Sequence, residues 1–579
     1  MNQETRSCKS CGNNFVIEPD DFGFYERIKV PPPTQCPECR MKRRMLFRNE
    51  FNMHKCKCAL CGKETISHYS SRVKFPIYCQ ECWWSDKWDP LNYGREYDPA
   101  KNFFSQWLEL SNVVPRPNLE AYQNENSPYS DFTWFCKNIY LSPSALHSEN
   151  VIYSKMSWNS RDVGDSLFTL NCEKVYQVMD SERCVNCDFV SDSKDCIDSS
   201  FLFDCRNSSE CFMSSNLRNR KFVFRNEQLS EEEYQKRLMA IGRGAKTYFE
   251  LIPEYIRLRE KALHKFANTV KSVNSSGNNL SQCKNARHCF NAENCEDVKY
   301  GVQMSQMKDS QDLYGAGDNT AVLVYDGVNV GYLDSNNYFC SNTFENCARV
   351  QYCDYCRTSQ DLFGSIGLRK KQYCILNKHY DKEKYEKLRD KIVDDMSENP
   401  FVDSRGNVYK YGEFFPPEFS PFAYNEAATQ SFFPLNKDEA IRAGYGWMDS
   451  EAREYSVTVK AKNLPDTIQE IDDDILNEVI GCEHEQKCGH GCTFAFKIVP
   501  QELQFYRKMI LPIPWLCPNC RHGERAALRN PIKLWQRACM CDKANHSHRN
   551  KCLNGFETSY SPDRPEIVYC ESCYNSEVA

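Results

Sequence analysis

Apolar positions in the middle of the chain recur at a fixed step rather than in helical runs. The tetrads Ser148-Glu-Asn-Val151, Ser160-Arg-Asp-Val163 and Cys172-Glu-Lys-Val175 begin at every twelfth position. Ser181-Glu-Arg-Cys184 and Ser193-Lys-Asp-Cys196 keep the same separation. The theme returns at Cys295-Glu-Asp-Val298, Ser310-Gln-Asp-Leu313, Cys347-Ala-Arg-Val350 and Ser359-Gln-Asp-Leu362. Short apolar runs separated by Asn, Asp and Ser turns at a near-fixed step predict a β-solenoid. In such a coil Cys, Val and Leu point inward and stack rung on rung, free cysteine behaving as a small buried hydrophobe. Register slips, from Cys172 to Ser181 and from Cys295 to Ser310, interrupt the pattern.

The coil is itself duplicated. Leu217-Arg-Asn219, Asn226 and Tyr234 recur at the same separations as Leu368-Arg-Lys370, Asn377 and Tyr385. Each copy runs into a helix. Ser230-Glu-Glu-Glu233 is a capping box opening a helical region to about Val270, interrupted near Gly242 and Gly244. Asp381 can cap a helix through about Met396. The stretches 83–127 and 397–450 are rich in aromatics and proline, as in WWSDKW (83–88) and YGEFFPPEFSPFAY (411–424). They are expected to pack domain junctions, with stacking on bases as the alternative.

Cysteine supplies the chemistry, with 34 in 579 residues. Fifteen lie in the coil region, seven in 136–211 and eight in 283–374. Cys184-x2-Cys187 and Cys353-x2-Cys356 allow a metal ladder there, against the simpler reading of core packing. The ends differ. Cys8-x2-Cys11, Cys36-x2-Cys39, Cys58-x2-Cys61, Cys79-x2-Cys82, Cys517-x2-Cys520 and Cys570-x2-Cys573 are paired knuckles with zinc-ligand spacing. The two ends are copies of one module. CPECRMKRRMLFRN (36–49) runs without a gap against CPNCRHGERAALRN (517–530), and Cys61–Cys79 matches Cys552–Cys570 in separation. Four four-cysteine zinc sites follow. They are Cys8, Cys11, Cys36, Cys39; Cys58, Cys61, Cys79, Cys82; Cys488, Cys492, Cys517, Cys520; and Cys539, Cys552, Cys570, Cys573. Cys541 is an alternative to Cys539, and Cys482 with His484 an alternative ligand pair. Sites with four thiolates are coordinatively full and stabilise folds rather than catalyse. Thiolate ligands must stay reduced, which places the protein in the cytoplasm.

Within each module the first stretch, CKSCGNNFVIEPDDFGFYERIKVPPPTQCPECR (8–40) in the N-terminal copy, resembles the probable zinc-ribbon, treble-clef-like domain of bacterial proteins. The whole chain resembles a family of cysteine-rich zinc-ribbon proteins of candidate-phyla bacteria. That resemblance implies architecture and little about activity. In such ribbons the second knuckle starts a helix, which sets Arg40, Arg44 and Arg48 along one face at i, i+4 and i+8. The second copy keeps Arg521, Arg525 and Arg529. Two readings stand: contact with nucleic-acid phosphates, or bracing of the ribbon against acids and zinc-bound sulfurs.

Formal charge is 73 − 79 = −6, which argues against a uniformly basic surface but leaves a local patch open. Hydrophobic residues are 41%, a globular composition. The longest apolar runs, such as Thr320–Tyr325, fall far short of a membrane helix, and no signal peptide is visible. No Walker A loop, G-x-S-x-G elbow or H-E-x-x-H pair is present.

The expected architecture is multidomain and mainly β: a duplicated cysteine-rich β-solenoid flanked by two double zinc-ribbon modules, with helical linkers. The modules occupy 1–85 and 481–579, and the solenoid regions 129–227 and 273–380. An aromatic and proline-rich connector covers 86–128, a helical linker 228–272, and a helix plus connector 381–480. The expected function is a zinc-binding, non-enzymatic scaffold associated with nucleic acid. A protein-interaction scaffold using the solenoid face and an enzyme with a site on the solenoid are the alternatives.

Overall fold

Backbone conformation in the middle of the chain follows a three-residue rule. In the computed structural model every third residue from Phe132 to Arg225 has a positive φ, between 43° and 61°. Left-handed corners cost most residues about 1–2 kcal/mol, and Asn and Asp tolerate them best. Asn138, Asn150, Asp162, Asn186 and Asp198 therefore stand at corners. Four such corners make one turn of the chain. Each segment then pairs in parallel with its counterpart one turn on, as in Val151↔Val163, Val163↔Val175 and Val175↔Cys187.

From Phe135 to Met213 the residue after each corner is buried. Cys136, Ile139, Ser142, Ala145, Ser148 and Val151 begin a series of small side chains at three-residue spacing that runs on through Cys211 and Ser214, all at most 3% exposed. The tetrads are two consecutive members of this series. The slips at Ser181 and Ser310 are multiples of three, so they shift the tetrad to another side of the turn without breaking the pattern.

The first stack is a 12-stranded sheet and the second, over 269–379, an 11-stranded one, both mostly parallel. The second stack is less regular: Val298 pairs with Ser310, Gln311 with Tyr325 and Val324 with Asn337, so its turns differ in length by one or two residues. All fifteen middle cysteines are buried.

Polar ladders tie the turns together. Ser154 Oγ donates to the Ile152 carbonyl at 2.9 Å and accepts the Ser166 N–H, also at 2.9 Å. Ser142 and Ser166 repeat this toward Ser154 and Val178. At the corners, the side-chain amide of Asn138 donates to Asn150 (2.9 Å), and that of Asn150 to Asp162 (3.0 Å).

One outer face of each stack is aromatic. Tyr153, Tyr176, Phe189, Phe201 and Phe212 of the first stack pack under helix Ala245–Lys261 and under 461–516. Tyr314, Tyr325, Phe339 and Tyr352 of the second pack under the first fifty residues, helix Phe103–Ser111, helix Lys382–Glu398 and 401–440. The termini thus cross over: the N-terminal module covers the second stack and the C-terminal module the first.

The helical region after Ser230 is two helices, Glu231–Ile241 and Ala245–Lys261. It ends before Val270 because Leu263–Lys265 pairs in parallel with Ile567–Tyr569 of the C-terminal module. The structure describes residues 2–578 apart from 318, 450–455, 544, 545, 547 and 549. Among them, no helix is long and apolar enough to cross a membrane.

Candidate metal centres

Each centre forms where a hairpin turn faces a helix N-terminus. The antiparallel pair Glu4–Ser7 and Asn14–Ile17 places Cys8 and Cys11 in its turn, with Gly12 at φ 74° closing it. Cys36 is the N-cap of helix Pro37–Met45, and Cys39 lies in its first turn. The same plan recurs with Cys79 before helix Gln80–Trp83, Cys517 before Pro518–Ala527 and Cys570 before Glu571–Val578. A helix N-terminus favours the thiolate form through its free N–H groups and dipole.

The donor atoms converge in four tetrads, each with its sulfurs within 4.8 Å of one another: Cys8, Cys11, Cys36, Cys39; Cys58, Cys61, Cys79, Cys82; Cys482, Cys492, Cys517, Cys520; and Cys539, Cys552, Cys570, Cys573. A tetrahedral ion with metal–sulfur bonds of about 2.3 Å holds its sulfurs about 3.8 Å apart. The Sγ–Sγ distances are 3.9 Å for Cys11–Cys36, 3.8 Å for Cys61–Cys79, 3.8 Å for Cys482–Cys520 and 4.0 Å for Cys552–Cys570. Disulfides would need about 2.05 Å. These tetrads can therefore hold metal ions.

Thiolate chemistry agrees with that. Hydrogen-bonded to Cys39 first and then to its other neighbours, Cys36 is held down at about 5, while Cys39 is pushed up by the same contact. Four sulfurs that share protons in this way exchange them readily for a divalent ion.

One contact indexes the four sites. The backbone N–H of the third cysteine points at the sulfur of the first: Cys36 to Cys8 at 3.2 Å, Cys79 to Cys58 at 3.3 Å, and Cys570 to Cys539 at 3.2 Å. In the remaining site Cys517 points at Cys482, at 3.3 Å. Cys482, rather than Cys488, therefore stands where Cys8 stands. The sequence alignment puts Cys488 there because its spacing to Cys492 looks like a knuckle. The actual turn is longer, and Cys488 sits beside the tetrad with its sulfur 3.5 Å from Cys520. Cys539 belongs to its tetrad, and Cys541 to a neighbouring group with His546, His548 and Cys573.

Five of the six arginines are buried, and Arg529 is partly exposed, its side chain at 17%. Arg40, Arg44 and Arg48 are 2%, 0% and 4% exposed. Arg40 Nε lies 3.0 Å from Asp312, and Arg44 bridges Asp312 (3.0 Å) and Asp326 (2.9 Å) of the second stack. Arg48 pairs with Glu50 at 2.9 Å and lies 4.0 Å over the Phe132 ring. The second copy mirrors this on the first stack. Arg521 and Arg525 reach Asp165 at 2.9 and 3.0 Å, and Arg529 pairs with Asp180 at 2.7 Å while lying 3.9 Å over Phe168. Phosphate contact requires exposed guanidinium groups without carboxylate partners; all six are paired with carboxylates, and five are buried as well. Only Arg40, Arg44, Arg521 and Arg525 lie on the helices, which end at Met45 and Ala527; Arg48 and Arg529 follow just beyond, so the expected eight-residue stripe on one helix face is cut short. The spacing is visible in the sequence; the partners, remote in the chain, are not.

No family model matches the chain, and no curated protein does. Among solved structures, a chain titled "putative acetyltransferase" from Desulfovibrio desulfuricans G20 matches at 10% identity and a TM-score of 0.12, over 44% of this chain and 68% of that one. A likeness that weak carries no argument about fold or activity.

Proposed function

We propose that the protein is a zinc-dependent, non-catalytic scaffold in which metal-stapled ribbons at the two ends clamp a duplicated β-solenoid. The observation that carries this reading is the coupling of the first tetrad-capped helix of each module to the opposite stack. The helix that begins at Cys36 is the one whose Arg40 and Arg44 enter the Asp312–Asp326 pair. The helix that begins at Cys517 is the one whose Arg521 and Arg525 enter Asp165.

Tetrahedral four-thiolate sites suit zinc or iron–sulfur centres, the Cys-x2-Cys spacing of the ribbons favours zinc, and a four-thiolate zinc site leaves no open position for substrate. Those points support a structural rather than catalytic role, and the need to keep the thiolates reduced supports a cytoplasmic location. The three-residue rule, the parallel pairing of successive turns and the inward small side chains support the solenoid. Nucleic-acid recognition loses its candidate residues, because the arginines are engaged by intramolecular acids. A protein partner on the surface of the first stack is the second reading. Apolar residues are exposed on paired inner turns of that stack, Val185 at 37% and Ile197 at 46%.

The test is metal analysis of natively purified protein, with free-thiol counting before and after chelation. At least four zinc ions per chain, whose removal exposes at least sixteen thiols, supports the reading. Zero or one ion per chain overturns it.

A further inference from the structure

Residues 539–573 hold more donors than one zinc can use. Beside the tetrad Cys539, Cys552, Cys570, Cys573 lies a second group, Cys541, His546, His548 and Cys573, with its four donor atoms also within 4.8 Å of one another. Cys573 belongs to both. Two tetrahedral ions have eight coordination positions. One bridging thiolate fills two of them, so seven ligands suffice, and seven are present.

From this we infer that the C-terminal module carries a binuclear zinc cluster of five cysteines and two histidines, bridged by the Cys573 thiolate. The inference rests on the proposed zinc-binding role and adds a fifth ion to it.

Three observations converge. The first is where the extra donors come from. In the N-terminal module only two residues separate Cys58 from Cys61, whereas the stretch between Cys539 and Cys552 is several times longer, so the C-terminal turn carries an insertion. Cys541, His546 and His548 all lie in that enlarged turn. The insertion leaves the parent tetrad assembled, as Cys570 N–H still points at Cys539 and the Cys552–Cys570 sulfurs stand 4.0 Å apart.

The second is orientation. A ligating histidine commonly gives its other ring nitrogen to a carboxylate or carbonyl, which fixes the ring and its tautomer. His546 turns Nδ1 to Cys541 Sγ at 3.0 Å and Nε2 to Glu577 Oε1 at 2.8 Å. His548 turns Nε2 to Cys573 Sγ at 3.2 Å and Nδ1 to the Asn550 carbonyl. Both rings therefore face the sulfurs with one nitrogen and an oxygen with the other.

The third is burial. Cys541 is 0% exposed, Cys573 1% and the His546 side chain 2%. With zinc at the four-cysteine group alone, Cys541 and both histidines would crowd that site with no ion to serve.

Charge favours the pair as well. One ion on the four-cysteine group alone carries +2 − 4 = −2, whereas two ions on five thiolates and two neutral imidazoles carry +4 − 5 = −1. On loading, five thiol protons pass to solvent and each imidazole binds through the nitrogen facing the sulfurs.

The experiment is zinc quantification on the full-length protein beside the double variant His546→Ala/His548→Ala, together with cadmium NMR of the cadmium-exchanged wild type. The expected results are five zinc ions per chain, four in the variant, and two cadmium resonances coupled to each other through the bridging sulfur. Four ions in the wild type, or no cadmium–cadmium coupling, overturns the bridged cluster while leaving the four-thiolate scaffold standing. A variant that still holds five ions also overturns it. Zero or one ion in the wild type overturns both readings. Because the cadmium measurement uses unaltered protein, misfolding of the variant cannot mask the outcome.

Discussion

At the residue scale the deciding feature is a buried charge with its partner. Asp165 is 0% exposed and receives two arginines, Arg521 and Arg525, that are themselves 3% exposed. Burying charges is costly, and removing one partner leaves the other unpaired in low dielectric. Asp165→Ala should therefore destabilise the protein by about 3–5 kcal/mol in chemical denaturation. Glu173→Ala, which removes only the solvent-screened partner of Arg161, should shift the midpoint little. Equal effects of the two changes would show that Arg521 and Arg525 brace nothing. The helical spacing of these arginines is legible in the sequence because it is local. Their role is not, since an arginine facing phosphate and one facing a distant aspartate look identical along a helix.

At the scale of elements, the stack is specified by a period of three rather than by the length of a full turn. The turn length and the inward residue types are legible in the sequence. The slips look irregular there because tetrads sample only two adjacent members of a three-residue series. Serine and cysteine exchange within that series. Cys172 takes the amide hydrogen-bonding place after Ser148 and Ser160, its own N–H donating to Ser160 Oγ at 3.1 Å. Its thiol sits 3.4 Å from the Leu170 carbonyl. A serine there would donate to the same carbonyl, so Cys172→Ser should cost less than about 1 kcal/mol, one hydrogen bond replacing another. Val175→Ser, at a 0% exposed position among Val163, Cys184 and Cys187, should cost about 2–4 kcal/mol by losing buried apolar contact. Thermal unfolding of both variants would decide the matter. A Cys172→Ser change as costly as Val175→Ser would mean that the cysteines act as core hydrophobes and not as ladder members.

Across the whole molecule, the termini are exchanged between the stacks, a feature that no local signal carries. The proposed metal centres fix the helices that make this exchange. Chelation under reducing conditions should therefore release both stacks' aromatic faces, read as increased binding of a hydrophobic dye, before the parallel strands themselves melt in far-UV circular dichroism. Simultaneous loss of both signals would tie the strands directly to the metal.

The exchange also predicts which half suffers when one end is removed. Residues 482–579 follow the second stack in the chain, yet much of their packing is on the first: Tyr153 donates to Glu502 at 3.1 Å, Lys508 reaches Asp162 at 2.6 Å, and Tyr176 lies against Phe505 and Tyr506. A chain ending at 481 would expose that aromatic face and strand Asp165 without its two arginines. In hydrogen exchange, the amides of Arg161–Gly164 and Glu173–Tyr176 should lose protection. Those of Glu296–Ser305 and Met307–Ala316, covered by the N-terminal module, should keep theirs. Removal of residues 1–50 should give the opposite pattern, because Arg40 and Arg44 then leave Asp312 and Asp326. If each deletion instead loosened the stack nearest to it in sequence, the crossed arrangement would be wrong, and the arginine helices would have to be docking within their own half.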